Sequence, residues 1–154
     1  MAISVDDQPF LNARNFAYDP DRHAIYIHGA RTGRTPTSVA ANNRVCFACY
    51  EMGRLLPAER ALSFSVENAG VVTFGKIVVV EDEEEARHGL QLILDKYFPH
   101  LKPEVDYHSA SAEDMKRTAV FRIDIEEWSG KQKVVEPDFP GAFTYPDFPQ
   151  SGSS

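Results

Sequence analysis

IYIHGARTGRTPTSVAANNRVCF, residues 25–47, decides how the rest of this chain is read. Its ends, IYIHG and RVCF, are short runs of β-branched and aromatic residues, which fit strands. Its middle, HGARTGRTPTS, holds glycine, arginine, threonine, serine and a proline. Pro36 marks a helix start, with Thr35 expected as N-cap and Pro36 in the first helical position. Two chemistries suit that middle. One is a polar turn that caps a short helix. The other is a phosphate seat, in which a helix N-terminus supplies N–H donors and a favourable dipole. In that seat Arg31 and Arg34 supply forked cations. Gly29 and Gly33 would let a ligand come close to the backbone, and Thr32, Thr35, Thr37 and Ser38 would add hydroxyls. The stretch has neither a GxxxxGK[ST] nor a GxGxxG pattern. Spacing leaves both readings open.

Outward from this stretch the chain reads as mostly β. AISV (2–5) is expected as a strand, DDQ as a turn and FLNARNFAYD (10–19) as a strand. PDRH turns the chain, and AIYIHG (24–29) pairs back as a hairpin. RVCFACYEM (44–52) is a strand and GRLLPAER (53–60) a loop. ALSFSV (61–66) and AGVVTFGKIVVVE (69–81) are strands, with a bend or bulge expected at ENAG, between or within them. Asp82 caps a helix with Glu83, Glu84 and Glu85 in its first turn. Its apolar stripe is Ala86, Leu90, Ile93, Leu94 and Tyr97, and Pro99 closes it. Residues 111–116 read as a further helical turn, and TAVFRIDIEEW (118–128) as the last strand. One domain over residues 1–133 is expected, followed by a Pro- and Phe-rich extended tail over 134–154. Phe139, Phe143, Tyr145 and Phe148 of that tail are free to pack on the body or on a second subunit. Strands do not alternate with helices, which disfavours a doubly wound parallel sheet.

Composition narrows the function. The formal net charge is −7, from 23 acidic and 16 basic residues, which argues against a nucleic-acid or anionic-membrane surface. There is neither a membrane-length apolar run nor a basic-then-apolar leader pattern, so the expectation is a cytoplasmic protein. Cys46 and Cys49 lie three apart in a strand-like run and so point to opposite faces. They read as structural thiols, not as a redox or zinc pair. His23, His88, His100 and His108 lack metal-ligand spacing and read as surface residues. Asp124, Glu126 and Glu127 read as charges on a solvated strand face. No Ser–His–Asp arrangement is present.

A strand ending in NFAY, a hairpin strand IYIHGARTGR and a short helix closed by NNRVCF together resemble the FMN-binding split β-barrels. These form the pyridoxamine 5′-phosphate oxidase-like superfamily. VVTFGKIVVVEDEEEARHGLQLILDKYFP and FRIDIEEWSGK are similar to its Nim-type (5-nitroimidazole-resistance) branch. The resemblance covers about residues 3–133. It implies a six-stranded split antiparallel β-barrel with short helices, assembled as a homodimer with FMN at the interface. It places Arg14, Asn15 and Phe16 along the flavin, and His28 and Gly29 near the ring or ribityl chain. Thr32 and Gly33 shape the turn, and Arg34 and Thr35 hold the phosphate. Gly70, Val71 and Val72 approach from a second strand region or from the partner subunit, and Trp128 and Lys131 lie in the closing segment. Ahead of the FG this chain reads NAGVV, where the family carries an aromatic and a hydroxyl. The activity implied is transfer of electrons from NAD(P)H to a small organic acceptor, with no protein acid or base required. A flavin- or haem-binding member without turnover, and a dimeric module that has lost its cofactor, use the same barrel.

Overall fold

The computed structural model describes residues 1–145; Phe148 and the end of the tail lie outside the described residues. The strands are β1 (Ala2–Val5), β2 (Gln8–Leu11), β3 (Phe16–Asp19), β4 (Ala24–Ala30), β5 (Arg44–Leu56), β6 (Ser65–Val79) and β7 (Thr118–Lys133). They form one sheet in the order β2-β1-β5-β6-β7-β4-β3. Three helices accompany it: α1 (Arg34–Ala41), α2 (Glu83–Tyr97) and α3 (Ala112–Arg117). The fold is mainly antiparallel β, as the sequence implies, with seven described strands where six are expected.

Two differences from the sequence reading change the strand list. FLNARNFAYD is not one strand, because β2 ends at Leu11 and β3 begins at Phe16. The polar side chains between them leave the ladder for tertiary partners: Asn12 and Arg14 both donate to the Thr35 hydroxyl. Conversely, β6 runs unbroken through ENAG, and β5 continues past Met52 to Leu56. Gly53 suits its place on β5 because Glu67 packs in the space a side chain would take.

The chain divides into two compact units. The first comprises Met1–Phe47 and Thr73–Trp128. Its centre is the β3–β4–β7 ladder, with Phe16 opposite Ile27 and Ile27 opposite Phe121. Tyr26, Ile27, Val120, Phe121 and Ile123 are all but inaccessible to solvent. Asp82 caps α2 by accepting from the Glu85 amide at 2.8 Å, and three glutamates in the first turn complement the dipole. The helix buries Ala86, Gly89 and Ile93. A Cβ at Gly89 would meet the Tyr26 ring at 2.5 Å, so the helix seats directly on that ring. The Tyr26 hydroxyl donates to Glu85 and accepts from Arg22, and Arg122 closes the network on Glu85 and Asp124. Glu85 stays below the ordinary carboxylate range. Burial opposes this, but the bonds from Arg122 and Tyr26 outweigh it. His88, exposed as expected, donates from Nε2 to the buried Asp19 carboxylate at 2.8 Å. Asp124 and Glu126 also have partners, in Arg122 and Lys76. Ser111 and Asp114 form a capping box at the start of α3.

The second unit comprises Ala48–Val72 and the chain from Ser129 onward. Arg54 holds it together. Its guanidinium grips the Glu67 carboxylate through two bonds of 2.8 Å and donates to the carbonyls of Val135, Glu136 and Pro137. Glu67 also accepts from the Val135 amide. The early tail is therefore anchored, and Leu55 and Phe143 exchange backbone bonds farther along. These contacts hold the Glu67 carboxyl at about 2, against an ordinary 4.5, chiefly through Arg54 and then the Val135 amide. A depressed carboxylate stabilises above its unfolded value and loses that contribution as pH falls through its folded value. The anchorage should therefore be intact above about pH 4.5 and lost on approach to pH 2. At neutral pH, Glu67→Gln should raise amide exchange at Val135 roughly tenfold. Exchange unchanged by the substitution would show that the tail is held by other contacts.

Candidate anion seat and a cleft in the second unit

The seat forms where the polar link between β2 and β3 meets the start of α1. Gly33 adopts φ 115° and ψ −169°, a conformation essentially reserved for glycine. The chain thus enters α1 at Arg34, two residues before Pro36, and Gly33 is the N-cap in place of the expected Thr35. Proline fits the first turn because its missing N–H needs no partner there. Thr35 is turned inward and buried, and its hydroxyl accepts from Arg14 at 3.0 Å and from Asn12 at 3.1 Å. The backbone amides of Arg34 and Thr35 begin the helix without intrahelical acceptors.

Arg14 lies flat against β4. It donates to the His28 carbonyl at 3.4 Å, and a Cβ at Gly29 would stand 3.1 Å from its Nη1. Gly29 is what lets a guanidinium approach the strand so closely. Arg14 Nε is buried without a hydrogen-bond partner. Arg34 stacks over the Phe10 ring, 4.1 Å from its centroid. Among the described residues, neither Arg14 nor Arg34 meets a carboxylate, although the chain is strongly acidic. Two uncompensated guanidiniums, a buried unsatisfied donor and open helix amides suit an anion such as a phosphate monoester.

The structure therefore joins Arg14, His28, Gly29, Gly33, Arg34 and Thr35. Arg31 leaves the basic cluster drawn from the sequence: its Nε donates to the Met115 carbonyl at 3.0 Å. Thr32 and Asn15 are exposed. Phe16 packs edge-on against Phe47, and its amide donates to the Tyr97 hydroxyl at 3.3 Å. Lys96 lies 3.3 Å above the Phe16 ring. Asn12 and Lys96 were not singled out from the sequence, and Tyr97 only as part of the α2 apolar stripe. Only the polar interruption in FLNARN signals the first of them. The His28 imidazole is held below its ordinary pKa, first by burial and then by the Arg14 charge.

In the second unit, Gly70, Val71, Val72 and Lys131 come together in a cleft of about 320 Å³ whose walls include Tyr50 and Asn68. Trp128, in the first unit, is 63% exposed. Cys46 and Cys49 are half-buried free thiols on β5. Among the described residues no cluster of His, Cys, Asp or Glu is arranged to hold a metal ion. Nor is any helix among them long and apolar enough to cross a membrane.

Such a sheet, with an anion seat at the hairpin-to-helix turn, is the architecture of flavin-binding split-barrel proteins. The chain belongs to the pyridoxamine 5′-phosphate oxidase family, whose model it matches over residues 1–132. No protein of curated function matches the sequence. Several solved structures share the fold. One is a candidate 5-nitroimidazole antibiotic resistance protein from Bacteroides thetaiotaomicron, with 24% identity and a TM-score of 0.67 over 84% of this chain and 72% of that one. Another is the flavocytochrome Anf3 from Azotobacter vinelandii, with 20% identity and a TM-score of 0.70 over 99% and 74%. A third is the FAD and haem binding protein from Mycobacterium smegmatis, with 19% identity and a TM-score of 0.76 over 89% and 65%.

Proposed function

We propose that this protein is an FMN-dependent oxidoreductase that takes electrons from NAD(P)H and reduces a small organic acceptor in the cytoplasm. The observation that carries the reading is the anion seat, with Arg14 and Arg34 lacking carboxylate partners beside the open amides of α1. FMN ends in a phosphate monoester, which such a seat suits. Arg14, Arg34 and the first-turn amides would hold that phosphate. Gly29 would keep the backbone accessible. Bound FMN would supply hydride and electron transfer, so the chain needs no catalytic acid or base of its own. A homodimer goes with this reading. Tyr50, Met52, Leu62 and Phe64 of the second unit are exposed, as are Phe74 and Trp128 of the first, and large exposed apolar side chains mark association surfaces. Light scattering that returns the mass of a single chain would refute the dimer.

The test is titration of the purified protein with FMN, followed by flavin fluorescence and then by anaerobic addition of NADH or NADPH. Saturable micromolar binding and bleaching of the flavin band are expected. No binding at micromolar FMN defeats the reading. Two of the similar structures are, by name, a flavocytochrome and a haem-binding protein, which supports a second reading as a flavin or haem carrier. A flavin that binds but is not bleached, or a Soret band on adding haemin, would favour that one.

A further inference from the structure

A cleft of about 480 Å³ opens in the first unit, between α2 and the segment that follows it. Leu90, Ile93 and Leu94 of α2 form one wall, and Phe98 and Leu101 continue it. The opposite wall is built by hydrogen bonds, not by loose loop. Gln91 donates to the Tyr107 hydroxyl at 2.9 Å, Arg87 donates to the Ala110 carbonyl, and the Glu104 amide donates to the Tyr107 carbonyl at 2.7 Å. No arginine, lysine, aspartate or glutamate lines the cleft.

Four polar side chains line it: His28, Tyr107, His108 and Thr118. Tyr107 accepts from Gln91, which leaves its hydroxyl proton free to donate. His28 lines the cleft, and its ring has no hydrogen-bond partner among the described residues. Its carbonyl, meanwhile, belongs to the anion seat, where it accepts from Arg14. One residue thus borders both sites.

We infer that this cleft is a binding site for a neutral, predominantly apolar small molecule, such as an aromatic ring with one polar end that His28 and Tyr107 recognise. A charged ligand would be stranded among apolar walls with no counter-charge. The volume falls within the range of small-molecule sites, which are mostly apolar with a few convergent polar groups. The position beside His28 makes the occupant the electron acceptor; that role rests on the flavin reading, and binding itself does not.

The probe is N-phenylnaphthylamine, a neutral dye that fluoresces in apolar surroundings. The wild-type protein should bind one dye per chain, saturably, with or without FMN. Leu94→Trp fills the cleft and Leu94→Lys charges it; each should weaken the dye at least tenfold, with circular dichroism and FMN affinity preserved. Two variants guard against a fold defect in either. Failure of the wild type to bind the dye, or wild-type dye affinity in both variants, overturns the inference. So does stoichiometric displacement of the dye by FMN, which would make the cleft the flavin ring's own seat. Dye binding without FMN binding would leave the cleft standing and defeat the flavin reading.

Discussion

Gly75→Ala should cost this protein a large part of its stability, on the order of 4 kcal/mol and roughly 10 °C in Tm. Gly75 is the glycine of the VVTFGK stretch on β6 and is buried. A Cβ there would overlap the Asp124 carbonyl oxygen of β7, with the carbonyl carbon at 3.0 Å and the Ile125 Cα at 3.3 Å. Every one of those atoms is backbone. A flexible side chain could swing aside, whereas a strand can yield only by giving up its ladder. The same stretch of β7 carries Asp124 into the Arg122–Glu85–Tyr26 network beneath α2, so displacement there reaches the seat of the helix. Total stabilities of single domains are roughly 5–15 kcal/mol, and this one change removes a large fraction. Gly70→Ala on the same strand is the control. Its Cβ would meet Tyr50 at 3.4 Å and the Cys49 carbonyl at 3.6 Å, both ordinary contacts, and the expected change is within about 0.5 kcal/mol. Thermal unfolding of the two variants checks the pair. Equal Tm values would mean that β6 and β7 can separate at no cost.

What was legible in the sequence is what local signals encode. The β3–β4 hairpin follows from its alternation and turn residues, and α2 follows from Asp82, the glutamates and the apolar stripe. β4 and α2 stand where the sequence puts them to within a residue or two, whereas β3 begins six residues later than the strand read from FLNARNFAYD. The FG of VVTFGK marked its strand, although why that position must be glycine lies in β7, some fifty residues on. The misreadings share one cause. The break after Leu11, the N-cap at Gly33 and the inward turn of Thr35 depend on one tertiary cluster, in which Asn12 and Arg14 meet a hydroxyl more than twenty residues away. No window of sequence contains that cluster. The same holds for the Arg54 clamp, which sits where GRLL, read as loop, continues β5, and which ties down the start of the extended tail. In the anion seat, residue types were legible and roles were not. Arg31 and Arg34 look equivalent in HGARTGR, yet one is used up on a carbonyl of α3 and the other stacks on Phe10.

That redistribution changes which arginine matters most for ligand binding. The resemblance puts the phosphate on Arg34 and Thr35, but Arg34 is exposed and rests on an aromatic face. A solvated cation of this kind is screened and contributes little, so Arg34→Ala should weaken FMN less than tenfold. Arg14 is half-buried and fixed at both ends of its fork by Thr35 and the His28 carbonyl, and its Nε lacks an acceptor. A pre-oriented guanidinium removed from water makes the stronger charge-assisted bond. Arg14→Met keeps an unbranched aliphatic side chain and deletes the guanidinium, at an expected cost of about 2–3 kcal/mol in FMN binding, or roughly 30- to 150-fold in Kd. Riboflavin, which lacks the phosphate, separates the effect from a general fault in the fold. Its affinity should change by less than about threefold in Arg14→Met if the lost interaction is with the phosphate. The same fall for both ligands would place Arg14 beside the ring system instead. Unchanged FMN binding in Arg14→Met would remove this turn as the phosphate seat, because no other half-buried cation stands beside the start of α1 among the described residues.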